Sequence, residues 1–225
     1  MGIAKAAYPD LISGYDLVNE EDYCDDVTCF AGPIIQAQEQ EFTVDSDGNF
    51  TKTPNVLKGM GTYMHGGETH NSSKTNMHAS VVLNGKRIGH GLQLALFPNL
   101  IEEIKKRDIC IEVCPLSNFV LGYTLDLRTH PAKYLMAQGV QISISPDDPA
   151  FFNYEAVALD YIYAVLAWEL DIRDLKKLSL NGIKYSSINE KRQQDFYKEF
   201  EPKWAAWIDW LSTFDTSAEE YTFSV

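Results

Sequence analysis

Nothing in these 225 residues is long and apolar enough to cross a membrane. The most apolar stretch, 155–168, carries Asp160 and falls short of the about 20 residues that a spanning helix needs. The first ten residues hold no hydrophobic core of the length a secretory leader has. Ala6 stands where N-myristoylation requires Ser or Thr. Cations are scarce: 19 Lys and Arg face 32 Asp and Glu, a net charge of −13. So acidic a surface repels phosphate backbones, and no nucleic-acid partner is expected. There are only four cysteines, and no C-x-x-C among them to suggest a zinc knuckle. Cys110 and Cys114 lie in an apolar run and read as buried thiols; Cys24 and Cys29 lie in a polar loop, and their pairing, which needs an oxidising compartment, stays open. G-x-G-x-x-G and G-x-x-x-x-G-K-[ST] are both missing, so dinucleotide and P-loop readings lose support. There is also no repeat, low-complexity tract or linker, so residues 1–225 are expected to form a single domain.

What is present is alternation. Short apolar or β-branched runs at 11–18, 60–66, 86–91, 109–114 and 140–145 each precede a helical stretch, at 30–41, 72–83, 94–107, 130–138 and 154–170. In 94–107 the residues Leu94, Phe97, Ile101 and Ile104 recur at steps of three and four, one helix face. Repeated strand–helix units imply an α/β fold with a parallel sheet. The turn-rich stretch 45–55 reads as a surface loop. After Ser179 the chain looks helical, and Phe196, Phe200, Trp204, Trp207 and Trp210 are spaced as packing anchors. The sequons at Asn49 and Asn71 are compatible with secretion.

Side chains with chemical capability gather at the strand ends: Asp16, then His65 and Glu68, His90, Ser117 and Asn118, and Asp147 and Asp148. In parallel α/β folds that rim is where ligands bind. In His65-Gly66-Gly67-Glu68 a histidine is suited to zinc and a nearby carboxylate to moving protons, while the glycines allow close approach of a ligand. A polar loop is the plain alternative. Asp147 and Asp148 repel each other, which a cation would relieve; a helix start with Pro149 in its first turn explains them equally well. His90, flanked by Gly89 and Gly91, keeps an accessible ring. His70, His78 and His130 read as surface or capping residues.

Taken together, H-G-G-E at 65–68, R-I-G-H-G at 87–91, E-V-C-P-L-S-N at 112–118 and S-P-D-D-P at 145–149 resemble the adenosine deaminase family of metal-dependent hydrolases. G-Y-D-L-V at 14–18, D-L-R-T-H-P at 126–131 and N-G-I-K-Y-S at 181–186 are similar to its secreted, growth-factor-related branch. The resemblance runs from about residue 11 to 211. It implies a (β/α)8 barrel, of which this chain supplies about the last five βα units plus C-terminal helices. It also implies zinc-dependent hydrolysis of adenosine or 2′-deoxyadenosine to inosine or deoxyinosine and ammonia, outside the cell, with homo-oligomerisation left open. On this resemblance His65 and Asp147 are zinc ligands, and Glu68 protonates a purine ring nitrogen. His90 orients the attacking water, and Asp148 holds water or substrate. The loop of Asp16 and Asn19, with Gly67, lies beside the purine.

The sequence departs from the family pattern in four ways. No H-x-H occurs, a pair that supplies two further ligands on the family's first barrel strand. Five strand signals stand where a closed barrel has eight. Asn19 replaces a usual Gly, and Pro146 a usual Ser. The alternative to an active deaminase is therefore a non-catalytic remnant that binds a nucleoside or a protein. The smaller deaminase type with H-x-E and P-C-x-x-C is excluded because neither motif is present.

Overall fold

A computed structural model describes residues 2–8, 10–39, 42–47, 49–52, 60–155 and 157–214. The chain divides into two compact units, Met1–Ser187 and Ile188–Val225.

The first unit opens with a short helix α1 (Gly2–Ala7) and is built on strands β1 (Gly14–Tyr15), β4 (Gly61–Gly66), β5 (Gly85–His90), β6 (Cys110–Val113) and β7 (Gln141–Ile144). They form one sheet in the order β1-β4-β5-β6-β7. Every pair is parallel, with His65 opposite Gly89, Gly89 opposite Glu112 and Glu112 opposite Ser143. Four strands fall inside the apolar runs and β5 begins one residue before its run, because β-branched and aromatic residues suit a pleated surface buried on both sides.

Helices α2 (Ala31–Glu39), α3 (Asn76–Val82), α4 (Pro98–Lys106), α6 (Ala132–Ala137) and α7 (Ala158–Trp168) lie within the five helical stretches. In the stretch 94–107, Leu92–Leu96 is a 3-10 turn, and α4 starts only at Pro98. Proline lacks an N–H and suits a first turn, so it restarts the helix there. Helix α5 (Pro115–Val120) also begins on a proline and was not foreseen. Helix α8 (Ile172–Lys184) starts earlier than the sequence reading had it, because Asp171 and Asp174 form a capping box at its N-terminus.

The stretch 45–55 is more than a loop. Strands β2 (Phe42–Val44) and β3 (Phe50–Lys52) pair antiparallel around it, and residues 48 and 53–55 lie outside the described part. The Asp45 side chain accepts from the N–H groups of Asp47 and Asn49, which closes the turn.

The main core joins strands to helices through Ile88, Ile111, Ile142, Ile104, Trp168 and Leu178; a smaller cluster sets Met64 against Val27, Ile34 and Leu83. Cys110 and Cys114 are buried as expected, and Cys24 and Cys29 carry free thiols. Among its described residues the second unit holds helix α9 (Glu190–Ser212), N-capped by Asn189, with Trp204 stacked on Phe200 and its ring tilted 5.0 Å from that of Trp207.

Candidate active site

Because all five strands of the large sheet run the same way, their C-terminal ends share one rim. Asp16 follows β1, His65 and Glu68 close β4, and His90 ends β5. Ser117 and Asn118 open α5 after β6, and Asp147 follows β7. These residues come from five successive strand–helix crossings and meet only through the sheet.

His65 leans into this rim because its parallel neighbour has no side chain: a Cβ on Gly89 would lie 3.1 Å from His65 Cδ2. His65 Nδ1 lies 2.8 Å from Asp16 Oδ2, and the His65 N–H donates to Asp16 Oδ1 at 3.2 Å. Burial opposes charge on this ring, but the Asp16 contact, followed by Asp147 and Glu112, raises its pKa above the usual histidine value. A carboxylate on Nδ1 leaves Nε2 as the outward donor, an arrangement common for metal-ligating histidines. The His90 ring lies 5.0 Å from that of His65. One donor atom each from His65, His90 and Asp147 lie within 4.8 Å of one another. The Ser117 hydroxyl donates to Asp147 Oδ2 at 2.6 Å and orients it. An imidazole and a carboxylate, His65 and Asp147, are donors of the type zinc takes, and the His90 ring stands beside them.

Both His90 and Asp147 take positive φ, +63° and +59°. Such conformations cost non-glycine residues energy and cluster at functional sites.

Glu68 stands beside this cluster at the end of a turn that only glycine accommodates. Gly67 has φ +81°, and a Cβ there would fall 2.7 Å from Met77 Cγ. The buried Glu21 carboxylate accepts from the N–H groups of both Gly67 and Glu68, at 3.1 and 2.9 Å. Asn118 Nδ2 donates to Glu68 Oε1 at 2.9 Å, and His90 Nδ1 lies 3.1 Å from the same oxygen. Burial, then the charge of Asp147, push Glu68 up to about 8. Burial, then the neighbouring His65, push His90 down to about 4. At neutral pH the two therefore meet as a carboxylic acid and a neutral imidazole, not as an ion pair.

A cleft of about 410 Å³ opens next to His65, lined by Leu17, Val18, Asn19, Glu21 and Tyr23 among others. Asn19 borders the cleft, and its side chain caps the Glu20 N–H at 2.9 Å. Asp16 turns to His65 instead. Asp148 is exposed beside the cluster, and its carbonyl accepts from Phe151 and Phe152. His70 and His78 are exposed as the sequence suggested, whereas His130 is only 3% exposed. It does act as a cap: its Nδ1 accepts the Ala132 N–H at the start of α6. Sequence reasoning passed over Glu21, whose partners lie 46 and 47 residues away, and left Asn118 and His130 without partners.

Comparisons with known proteins show the family and the fold. The family described as adenosine deaminase matches residues 36–202, well over half of the chain. Adenosine deaminase 2 of Dictyostelium discoideum is 38% identical over 205 residues, covering 91% of this chain and 36% of that protein. Human adenosine deaminase 2 is 33% identical over 220 residues, covering 95% of this chain and 40% of that protein. The chain thus spans well under half the length of these relatives. Among solved structures, an amidohydrolase from Burkholderia ambifaria with bound zinc has a TM-score of 0.73 at 20% identity, covering 94% of this chain and 53% of that one. That likeness concerns the fold: the parallel sheet with its helices is a portion of the (β/α) barrel seen in such hydrolases. The chain belongs to the adenosine deaminase family.

Proposed function

We propose that this chain carries the reaction centre of a zinc-dependent adenosine deaminase, converting adenosine and 2′-deoxyadenosine to inosine or deoxyinosine and ammonia. One observation carries the reading: His65, Glu68, His90 and Asp147, from three different strand ends, surround one point beside a cleft. His65, through Nε2, and Asp147 would hold the zinc ion. When bound there, zinc supplies a Lewis acid that makes water a nucleophile near neutral pH.

The remaining chemistry belongs to this chain's own groups. Glu68, uncharged at neutral pH, is placed to hand a proton to the purine ring nitrogen, which makes the adjacent carbon electrophilic. Neutral His90 is placed to orient the attacking water and take up its proton. Asp148 accepts a hydrogen bond from the substrate or the water. Asp16 holds the His65 ring, and Gly67 and Asn19 border the purine. An extracellular setting fits the two sequons, since Asn49 and Asn71 are both exposed.

The test is ammonia release from adenosine by the 225-residue chain with added zinc, against Glu68→Gln. Loss of the acid should lower the rate roughly 100- to 10,000-fold. An equal rate in the variant refutes the role of Glu68.

A second reading follows from the donor count. His65 and Asp147 alone are fewer than the three protein ligands usual at catalytic zinc. On this reading the chain is a remnant that keeps the cleft without turnover. Metal analysis separates the two, because stoichiometric zinc lost in His65→Ala supports the deaminase.

A further inference from the structure

We infer that Asp160, acting through Tyr154 and Leu116, is a positioning residue that holds Asp147 in its ligand orientation. The inference rests on the reading of Asp147 as a zinc ligand. It starts from a carboxyl group that nothing in the proposed reaction uses. Asp160 stands in the first turn of α7 and shows no exposed surface. Burying such a group is costly unless polar partners meet it. Here the partners come from the two segments that carry Asp147 and the hydroxyl that orients it.

Asp160 Oδ1 accepts the Leu116 N–H at 3.1 Å, in the first turn of α5. The next residue is Ser117, whose hydroxyl donates to Asp147 Oδ2 at 2.6 Å. One oxygen of Asp160 therefore fixes the backbone that aims Ser117 at the ligand carboxylate.

The other oxygen acts on the backbone of the ligand itself. The Tyr154 hydroxyl lies 3.0 Å from Asp160 Oδ2 and 2.8 Å from the Pro146 carbonyl oxygen, and its proton is shared between them as a three-centre bond. Pro146 has no N–H, so its carbonyl is the residue's only backbone hydrogen-bonding group. That carbonyl lies in the peptide plane that ends at the Asp147 nitrogen. About the next bond Asp147 turns to φ +59°, a value that residues other than glycine rarely adopt. Such a conformation persists only where its surroundings over-determine it. The Tyr154 ring stacks on Phe152, with centroids 6.4 Å apart and planes 10° from parallel, which steadies the hydroxyl. Asp160 thus grips both the peptide that carries Asp147 and the backbone of the residue that orients it. Asp160 and Tyr154 act on Asp147 only through other groups.

Three variants of the 225-residue chain test this. Tyr154→Phe deletes one hydroxyl and keeps the ring. Asp160→Leu is close in size and removes both arms; should it fail to fold, Tyr154→Phe still decides. Asp160→Asn is the conservative variant: its oxygen can accept from Leu116, and its Nδ2 can donate to the Tyr154 oxygen, leaving the hydroxyl proton to Pro146. Carbon-13 shifts of Asp147 in the metal-free chain report its φ, and calorimetry with zinc reports its role as a ligand. Tyr154→Phe and Asp160→Leu should release Asp147 from positive φ and weaken zinc binding roughly 10- to 100-fold. Asp160→Asn should keep the wild-type φ and affinity. Unchanged φ or unchanged zinc affinity in Tyr154→Phe overturns the proposal, and a lower urea midpoint alone marks a purely structural role. An Asp160→Asn chain as impaired as Tyr154→Phe overturns it too. If the wild-type chain binds no zinc, the reading of Asp147 as a ligand fails, while the Asp147 shifts still decide whether Tyr154 and Asp160 hold its turn.

Discussion

Glu68 and His130 show how a buried environment, rather than residue type, sets a protonation state. Both lie near the rim of a parallel sheet, yet burial moves one up to about 8 and the other down to about 4. For His130 the effect on stability has a definite sign. In the unfolded chain the imidazole binds a proton below about 6.5, whereas in the folded chain it does so only below about 4. The unfolded state thus holds more protons in that window, so stability is full above pH 6.5 and falls as pH drops toward 4. The shift corresponds to at most roughly 3 kcal/mol. Urea midpoints measured from pH 7 to pH 4 should fall steeply for the wild-type chain and less steeply for His130→Gln, which removes the titrating group. Parallel curves would refute the burial of a neutral His130.

Among the elements, turns matter more than helices for the chemistry. The turn after β4 aims Glu68, and it depends on Gly67 at φ +81° and on the two N–H bonds to Glu21. Gly67→Ala should lose about 1–2 kcal/mol through left-handed strain, with a further cost from displacing Met77. It should also cut ammonia release, since Glu68 shifts with the turn. Asp171→Ala removes the capping box of α8 and should lose about 1 kcal/mol. That helix end supplies none of the site residues, so zinc content should stay as in the wild type. Urea unfolding with metal analysis checks both variants, and an unimpaired Gly67→Ala would contradict the role assigned to the turn.

For the molecule as a whole, the zinc ion of the proposed function and the sheet edges would set the behaviour. His65 and Asp147 are separated by three successive strand crossings, so a shared ion would tie β4 to the end of β7. Zinc at 100 times its Kd should add about 2.7 kcal/mol, which for a chain of this size raises Tm by roughly 5–11 °C. A scan with and without zinc tests this, and His65→Ala should abolish the rise. Among the described residues β1 and β7 each pair on one side only. Leu125 is 85% exposed and Phe151 87%. Open edges and exposed apolar side chains favour association. Sedimentation should therefore show a mass that rises with concentration; a constant monomer mass would show that the edges are adequately protected.

The five strands, the parallel order and the rim residues were legible in the residue pattern, because each depends on neighbours a few positions apart. Apolar runs set the strands, a period near 3.6 set α4, and His65, Glu68, His90 and Asp147 stood out as polar groups ending apolar runs. Where the local reading failed, the cause was also local: Pro98 restarted a helix, and Asp45 closed a hairpin. The partners of these groups were not legible. Glu21 under the Gly67 turn, Ser117 on Asp147, Asp16 on His65 and the path from His130 through Asn118 to Glu68 join residues 12 to 50 positions apart. Sequence records which groups can donate and accept. Which of them meet, and with what pKa, depends on burial and on strand register, and these exist only once the chain is folded.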